Sequence, residues 1–171
     1  MSEKVDNTLT QYLTFVLGEE IFALDIASVR EVLELTSITK VPRTPEYMRG
    51  VINLRGHAVP VVDMRLKFGM SKVKDTVDTC IIIVEVDMEG ENAVMGALVD
   101  SVREVFEMHA DQIEQPPRMG LSIDTEFLRG MGKQDDDFVM ILDINRVFSA
   151  EELVAMGAEK GKEQAAQEEA A

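Results

Sequence analysis

The segment Ser28-Val29-Arg30-Glu31-Val32-Leu33-Glu34-Leu35 returns as Ser101-Val102-Arg103-Glu104-Val105-Phe106-Glu107-Met108, with apolar residues exchanging for apolar ones wherever the copies differ. The correspondence continues downstream in the same order. Pro42-Arg43 recurs as Pro117-Arg118, Glu46-Tyr47-Met48-Arg49-Gly50-Val51 as Glu126-Phe127-Leu128-Arg129-Gly130-Met131, and Val62-Asp63-Met64 through Phe68 as Leu142-Asp143-Ile144 through Phe148. A chain with such a repeat folds as two like halves. A half of roughly 70 to 80 residues without disulfides has a core worth only a few kcal/mol, so the halves must pack closely or exchange strands.

Composition narrows the partners. The 171 residues, 46% of them apolar, suffice for one sizeable domain or two small lobes sharing a core. The 32 acidic against 17 basic side chains leave a net charge of -15, which repels phosphate backbones and anionic lipid. Nucleic acid and direct membrane insertion are therefore disfavoured. Met1 to Asn7 carries no basic segment followed by an apolar run, and no stretch approaches the roughly 18 apolar residues of a membrane span, so the expectation is a soluble cytoplasmic protein. Cys80 is the single cysteine, and its setting before Ile81-Ile82-Ile83-Val84 reads as a small buried hydrophobe.

Residues 1–10 are polar and aperiodic and read as a flexible arm. Tyr12 to Leu17 and Ile21 to Leu24 are β-rich runs around a glycine turn, a hairpin signal. The first copy of the repeat fits both helical spacing and alternation, which predicts a brief helical turn running into a strand. Pro45 to Met48 is long enough for one helical turn. Val51-Ile52 and Val59 to Val62 flank Asn53-Leu54-Arg55-Gly56, a second hairpin with Arg55 near its tip, and Pro60 points to an edge or bulge. Asp63 caps a short helix closed by Gly69. Residues 70–78 are polar and link the halves, and further strands are expected over Thr79 to Val86, Ala93 to Val99 and Phe138 to Leu142. Ser149 to Glu152 has capping-box spacing for a terminal helix.

About ten short strands with single-turn helices between them fit a mainly β protein of two small barrels. The expected organisation is one domain over residues 11–157, made of pseudo-repeated lobes at about 11–70 and 79–148 with strand exchange allowed, plus the terminal helix. Residues 158–171 read as an acidic flexible tail.

Little in the chain supports an enzyme. His57 and His109 stand in no metal-ligand spacing or nucleophile motif, and glycine-rich phosphate loops are absent. Asp63 and Asp143 are equivalent in the two copies, which favours paired helix caps over a paired-carboxylate site. A hydrolase using either remains the minor reading, as does a regulatory barrel binding a small molecule between its lobes. Met64, Met95, Met131 and Met140 suit uneven gaps between lobes, or else an adaptable partner groove.

The copies disagree most at the second hairpin, where Asn53-Leu54-Arg55-Gly56 faces Lys133-Gln134-Asp135-Asp136. A turn needs Asn or Gly, but nothing about turning needs Leu54 and Arg55. An exposed leucine beside an arginine suits an interface anchor and hydrogen-bond fork, while a salt bridge within the fold is the competing reading of Arg55.

The run Arg49-Gly50-Val51-Ile52-Asn53-Leu54-Arg55-Gly56, followed by Val59-Pro60-Val61-Val62-Asp63-Met64-Arg65, resembles the signature of the chemotaxis coupling-protein family CheW. Phe22 to Ile26, Val29 with Glu31 and Val32, Thr79 to Val84, Gly96 with Val99-Asp100, and Leu121 to Gly130 extend the likeness from Gln11 to the terminal helix. No receiver or kinase domain accompanies them, so the likeness is to the stand-alone adaptor. The resemblance implies two intertwined five-stranded SH3-like barrels with a C-terminal helix, no cofactor, and no enzymatic activity. It implies an adaptor joining the cytoplasmic tips of chemoreceptors to the regulatory domain of the histidine kinase CheA, held at membrane-bound receptor arrays through protein contacts. By the same resemblance Val29, Val32, Gly50, Cys80, Gly96, Val102 and Val105 line a receptor groove, and Arg55, Glu31 and Leu54 face the kinase.

Overall fold

The computed structural model describes residues 9–88, 90–115, 125–134 and 136–148. The first apolar run is strand β1 (Leu9–Leu17), and Gly18, at φ 65°, turns it into β2 (Glu20–Asp25). Asp25 then accepts a 2.9 Å hydrogen bond from the Ala27 amide, capping a 3-10 turn over Ile26–Ser28 before β3 (Val29–Glu34). The two periodicities of the repeat thus coexist as turn and strand. Pro45 to Met48 departs from the expected helical turn. The Met48 amide donates to the Pro45 carbonyl at 2.9 Å, closing a β-turn, and Met48 is drawn into β4 (Met48–Leu54) before another helical residue can form.

The hairpin continues into β5 (His57–Asp63), which pairs with β4 along its length. Pro60 is tolerated because the other side of β5 gains a partner only from Val61 onward. Asp63 caps α1 (Met64–Lys67) by accepting from the Leu66 amide, and Gly69 (φ 80°) follows it. Next come β6 (Cys80–Met88), β7 (Glu91–Val99) and β8 (Ser101–His109). After 3-10 turns at Ala110–Gln112 and Thr125–Phe127 the chain forms β9 (Leu128–Gln134), β10 (Asp137–Leu142) and α2 (Ile144–Val147), capped by Asp143. The expected arm, terminal helix and acidic tail fall almost wholly outside the described residues.

Ten strands divide into two five-stranded sheets, ordered β8-β1-β2-β10-β9 and β3-β6-β7-β5-β4. The second sheet is continuous in sequence, whereas the first joins strands from both ends of the chain. Each curls into an SH3-like barrel. The sheets share one plan: β10 runs parallel to β2 as β5 runs parallel to β7. The bridge Thr39–Val51 has its counterpart in Glu114–Met131. The Asp63 amide donates to Tyr47 at 2.7 Å and the Asp143 amide to Phe127 at 2.9 Å, so even the approach to each helix is repeated.

The largest buried cluster belongs to neither sheet alone. Phe15, Phe22, Leu24 and Met140 of the first sheet meet Val62, Ile82, Val84 and Met95 of the second, with Met64, Ile144 and Val147 of the helices. Smaller clusters, Ile52–Val61–Ile81–Ile83 and Tyr12–Met108–Ile141 among them, fill each barrel separately. Met64, Met95 and Met140 are buried in the shared cluster and Met131 packs against it, as gap-fillers between lobes do. The rings of Phe15, Phe22, Phe68 and Phe127 follow one another at centroid distances of 5.6, 5.7 and 5.6 Å, running from the first sheet past α1 to the turn before β9.

Candidate functional site

Arg55 and Gly56 form the β4–β5 turn with φ of 51° and 87°, left-handed at both positions as a tight hairpin matching strand twist requires. Asn53 holds the turn by accepting from the Gly56 amide at 2.7 Å. The Arg55 guanidinium reaches across to β3 and donates both Nη atoms to the two Glu31 carboxylate oxygens, each at 2.8 Å. That hydrogen bond, with the charges of Arg55 and Arg30 behind it, holds the Glu31 carboxyl below the usual glutamate range. The same fork raises Arg55 further. Arg55 is thus a salt-bridge partner within the fold, yet its side chain is 69% exposed. Leu54 differs from the expected exposed anchor: it is half-buried against the second barrel's own cluster, because its strand position turns it onto Ile52 and its neighbours.

The first barrel carries a counterpart that sequence comparison did not bring out. Gln134 stands where Leu54 does and donates to Glu104, the equivalent of Glu31, at 2.9 Å. Hairpin and repeat strand are tied together in both lobes, by an ion pair in one and a neutral donor in the other. The signal was the alignment of Gln134 with a turn residue.

The seven residues assigned to a groove divide into two groups. Val29 and Val32 pair with Val84 and Ile82, and Val102 and Val105 with Phe15 and Leu13. Every one of those partners lies in the shared cluster, so cross-strand neighbours place all four valines on the face that the two lobes share. Val29, Val102 and Cys80 pack against the cluster, while Val32 and Val105 stand at its margin 41% and 46% exposed. Cys80 is half-buried rather than buried, with its thiol 3.0 Å from the Asp78 carbonyl. Gly50 and Gly96 belong elsewhere. A Cβ on Gly50, at φ 148°, would meet the Thr39 carbonyl oxygen at 2.2 Å, and one on Gly96 would meet Ile81 Cγ2 at 2.8 Å. Their smallness serves the close packing of strands inside the second barrel.

Two ties between lobes were not legible beforehand. Arg65 of α1 grips Asp100 through Nε at 2.8 Å and Nη2 at 2.6 Å, and Asp100 also accepts from the Gly18 amide at 2.8 Å. Burial pushes the Asp100 carboxyl up, but the Arg65 fork and the Gly18 amide outweigh it and hold the group below its ordinary range. In the pseudo-equivalent place Asn145 of α2 accepts from the Asp87 amide at 2.8 Å. The Lys67 ammonium lies 4.9 Å from the Tyr47 ring centroid and 5.5 Å from those of Phe127 and Phe148. Its equivalent is Val147, so the cation breaks the repeat where the lobes meet.

Asp63 and Asp143 each accept a backbone amide of the helix they cap, His57 is exposed at its hairpin, and the His109 amide donates to Gln112 at 2.6 Å. Phe15, Phe22, Met64 and Met95 pack together between the lobes.

The family model for the CheW-like domain matches residues 11–152. The chain is similar to the chemotaxis protein CheW of Klebsiella aerogenes, 33% identical over 143 residues that make up 84% of each chain. It is similar to that of Helicobacter pylori, 32% identical over 147 residues covering 85% of this chain and 86% of the relative. Among solved structures, the scaffolding protein TtCheW from Thermoanaerobacter tengcongensis superposes with a TM-score of 0.78 at 38% identity, covering 89% of this chain and all of the other.

Proposed function

Because this chain belongs to the CheW-like family, we propose that this scaffold protein couples the cytoplasmic tips of chemoreceptors to the regulatory domain of the kinase CheA. The observation that carries the proposal is the pair of exposed valines, Val32 and Val105, on separate lobes at the margin of one shared apolar core. An amphipathic helix lays its apolar stripe on such a margin. Val29, Cys80 and Val102 deepen that surface, and Gly50 and Gly96 shape the second barrel behind it. The kinase side of the reading rests on Arg55, rigidly presented by a tight turn and its Glu31 fork, with Leu54 supporting the hairpin from below.

No chemistry is needed for this role. The scaffold holds the receptor tip and the kinase domain at fixed distance and orientation, so a small receptor shift is felt by the kinase. Coupling of that kind takes about 1–3 kcal/mol of differential contact energy. Co-sedimentation of the protein with receptor fragments and the kinase tests the proposal, since a scaffold gives a ternary complex and a ligand-binding barrel does not. Val105→Glu puts a charge on the apolar margin and is expected to lower receptor capture at least tenfold, about 1.4 kcal/mol, while leaving kinase binding unchanged. Undiminished capture would move the receptor surface elsewhere.

A further inference from the structure

In a chain of net charge -15, the cations are not spread evenly. The segment between β3 and β4, the end of α1 and the start of the following linker enclose a cavity of about 540 Å³ whose wall carries Lys40, Arg43, Arg49 and Lys72. Glu46 and Asp63 are the acidic residues on the same wall, so the lining is net positive. Arg49 is already engaged, by Asp75 at 2.5 Å and more distantly by Asp63 at 3.9 Å. Lys40, Arg43 and Lys72 make no hydrogen bond or ion pair with any other described residue. Like charges gathered on one concave surface repel, and Glu46 and Asp63 offset the four cations only in part.

Arg43 adds a second, independent observation. Its φ is 62°, one of two non-glycine residues held in the left-handed region among those described. For Arg55, the other, the hairpin turn and the Glu31 fork account for it. Arg43 follows Pro42 in a turn where Thr44 Oγ1 donates back to the Val41 carbonyl at 2.9 Å, a position that glycine or asparagine fills at less strain. Strained non-glycine backbone clusters at functional sites, and here it lies on a cavity wall beside a guanidinium without an ion-pair partner among the described residues.

We propose that this cavity is a binding site for a small, multiply charged phosphate-type anion. Its volume falls in the range of small-ligand sites. The free Arg43 fork and the Lys40 and Lys72 ammonium groups suit the several oxygens of a phosphate chain better than a lone carboxylate, which one fork satisfies. Thr39 beside the cavity already exchanges both its hydrogen bonds with Val51, so a peptide strand finds no pairing position at that residue. None of the residues proposed for the receptor or kinase surfaces lines it, so the site stands or falls apart from the scaffold role.

Titration calorimetry with inorganic tripolyphosphate at low salt tests the proposal, using the full chain and two variants. Arg43→Gly removes the guanidinium and relieves the backbone, so it is expected to fold at least as well as the parent. Lys72→Gln removes a second cation from the lining. Saturable one-to-one binding by the parent, weakened at least tenfold in the double variant, is the expected result, with amide shift changes in NMR confined to residues 38–49 and 63–72. Absence of binding, unchanged affinity in the double variant, shift changes centred elsewhere, or tighter binding of a glutamate tetrapeptide, which has a similar charge, would each overturn it.

Discussion

Gly50 and Asp100 show how single residues hold this molecule together. Gly50→Ala would force a methyl to within 2.2 Å of the Thr39 carbonyl oxygen at a backbone angle that L-residues avoid. We expect it to cost at least about 2 kcal/mol, read as a lowered urea midpoint with an unchanged slope. Loss of receptor capture in such a variant would therefore report unfolding first. Asp100 makes a pH-dependent contribution. Its carboxyl sits below the ordinary aspartate range in the folded state, so the stability it supplies is full above that range and is lost as pH falls through the folded value. Arg65 stays charged throughout, and the acid limb belongs to the carboxylate. The parent should exceed Asp100→Asn by about 2 kcal/mol near neutrality, and the gap should close on acidification below about pH 4. A gap independent of pH would assign the effect to packing.

At the scale of elements, the sequence is most readable where a local physical rule has no competitor. Gly18, Asn53 with Gly56, and Asp63 announce two turns and a helix cap, and each does what its side chain or its freedom at positive φ allows. Pro45 to Met48 misleads because a helical turn and a β-turn begin with the same residue types, and only the pull of Met48 into β4 decides between them. Leu54 misleads for the opposite reason. Proximity to a hairpin tip suggests exposure, but burial follows which face of the strand meets the barrel interior, and the turn residues do not announce that. Of the candidate surfaces, the valines on β3 and β8 are legible as repeated apolar positions, whereas the difference between Gly50 and Val32 depends on which atoms lie across a barrel. The β4–β5 hairpin gives a clean test of the kinase surface. Arg55→Asn keeps a residue that tolerates left-handed backbone and removes the Glu31 fork. We expect an intact fold with little change in thermal midpoint and a loss of kinase activation in receptor, scaffold and kinase mixtures; full activation would remove Arg55 from the interface.

The whole molecule is governed by a core that neither barrel owns. If residues 29–99 were taken alone, the second sheet would keep all its strands but expose Ile82, Val84, Val86, Met95 and Val99, all buried in the intact chain. At about 1.5–3 kcal/mol for each such side chain, the loss is of order 10 kcal/mol, comparable with the entire stability of a typical domain. The fragment is expected to show no cooperative thermal transition, and the full chain to show one, with calorimetric and van't Hoff enthalpies in agreement. Two separate transitions would mean that the barrels are independent after all. For a scaffold this matters directly: barrels that cannot loosen separately transmit displacement instead of absorbing it. The strand order carries a further consequence, for biosynthesis. The second barrel has all its strands once Val99 has left the ribosome, but β1 and β2 must wait for β8, β9 and β10 before their sheet can close. Throughout that interval Phe15 and Phe22 have only the second barrel to cover them, so strands made before that barrel are sealed after it.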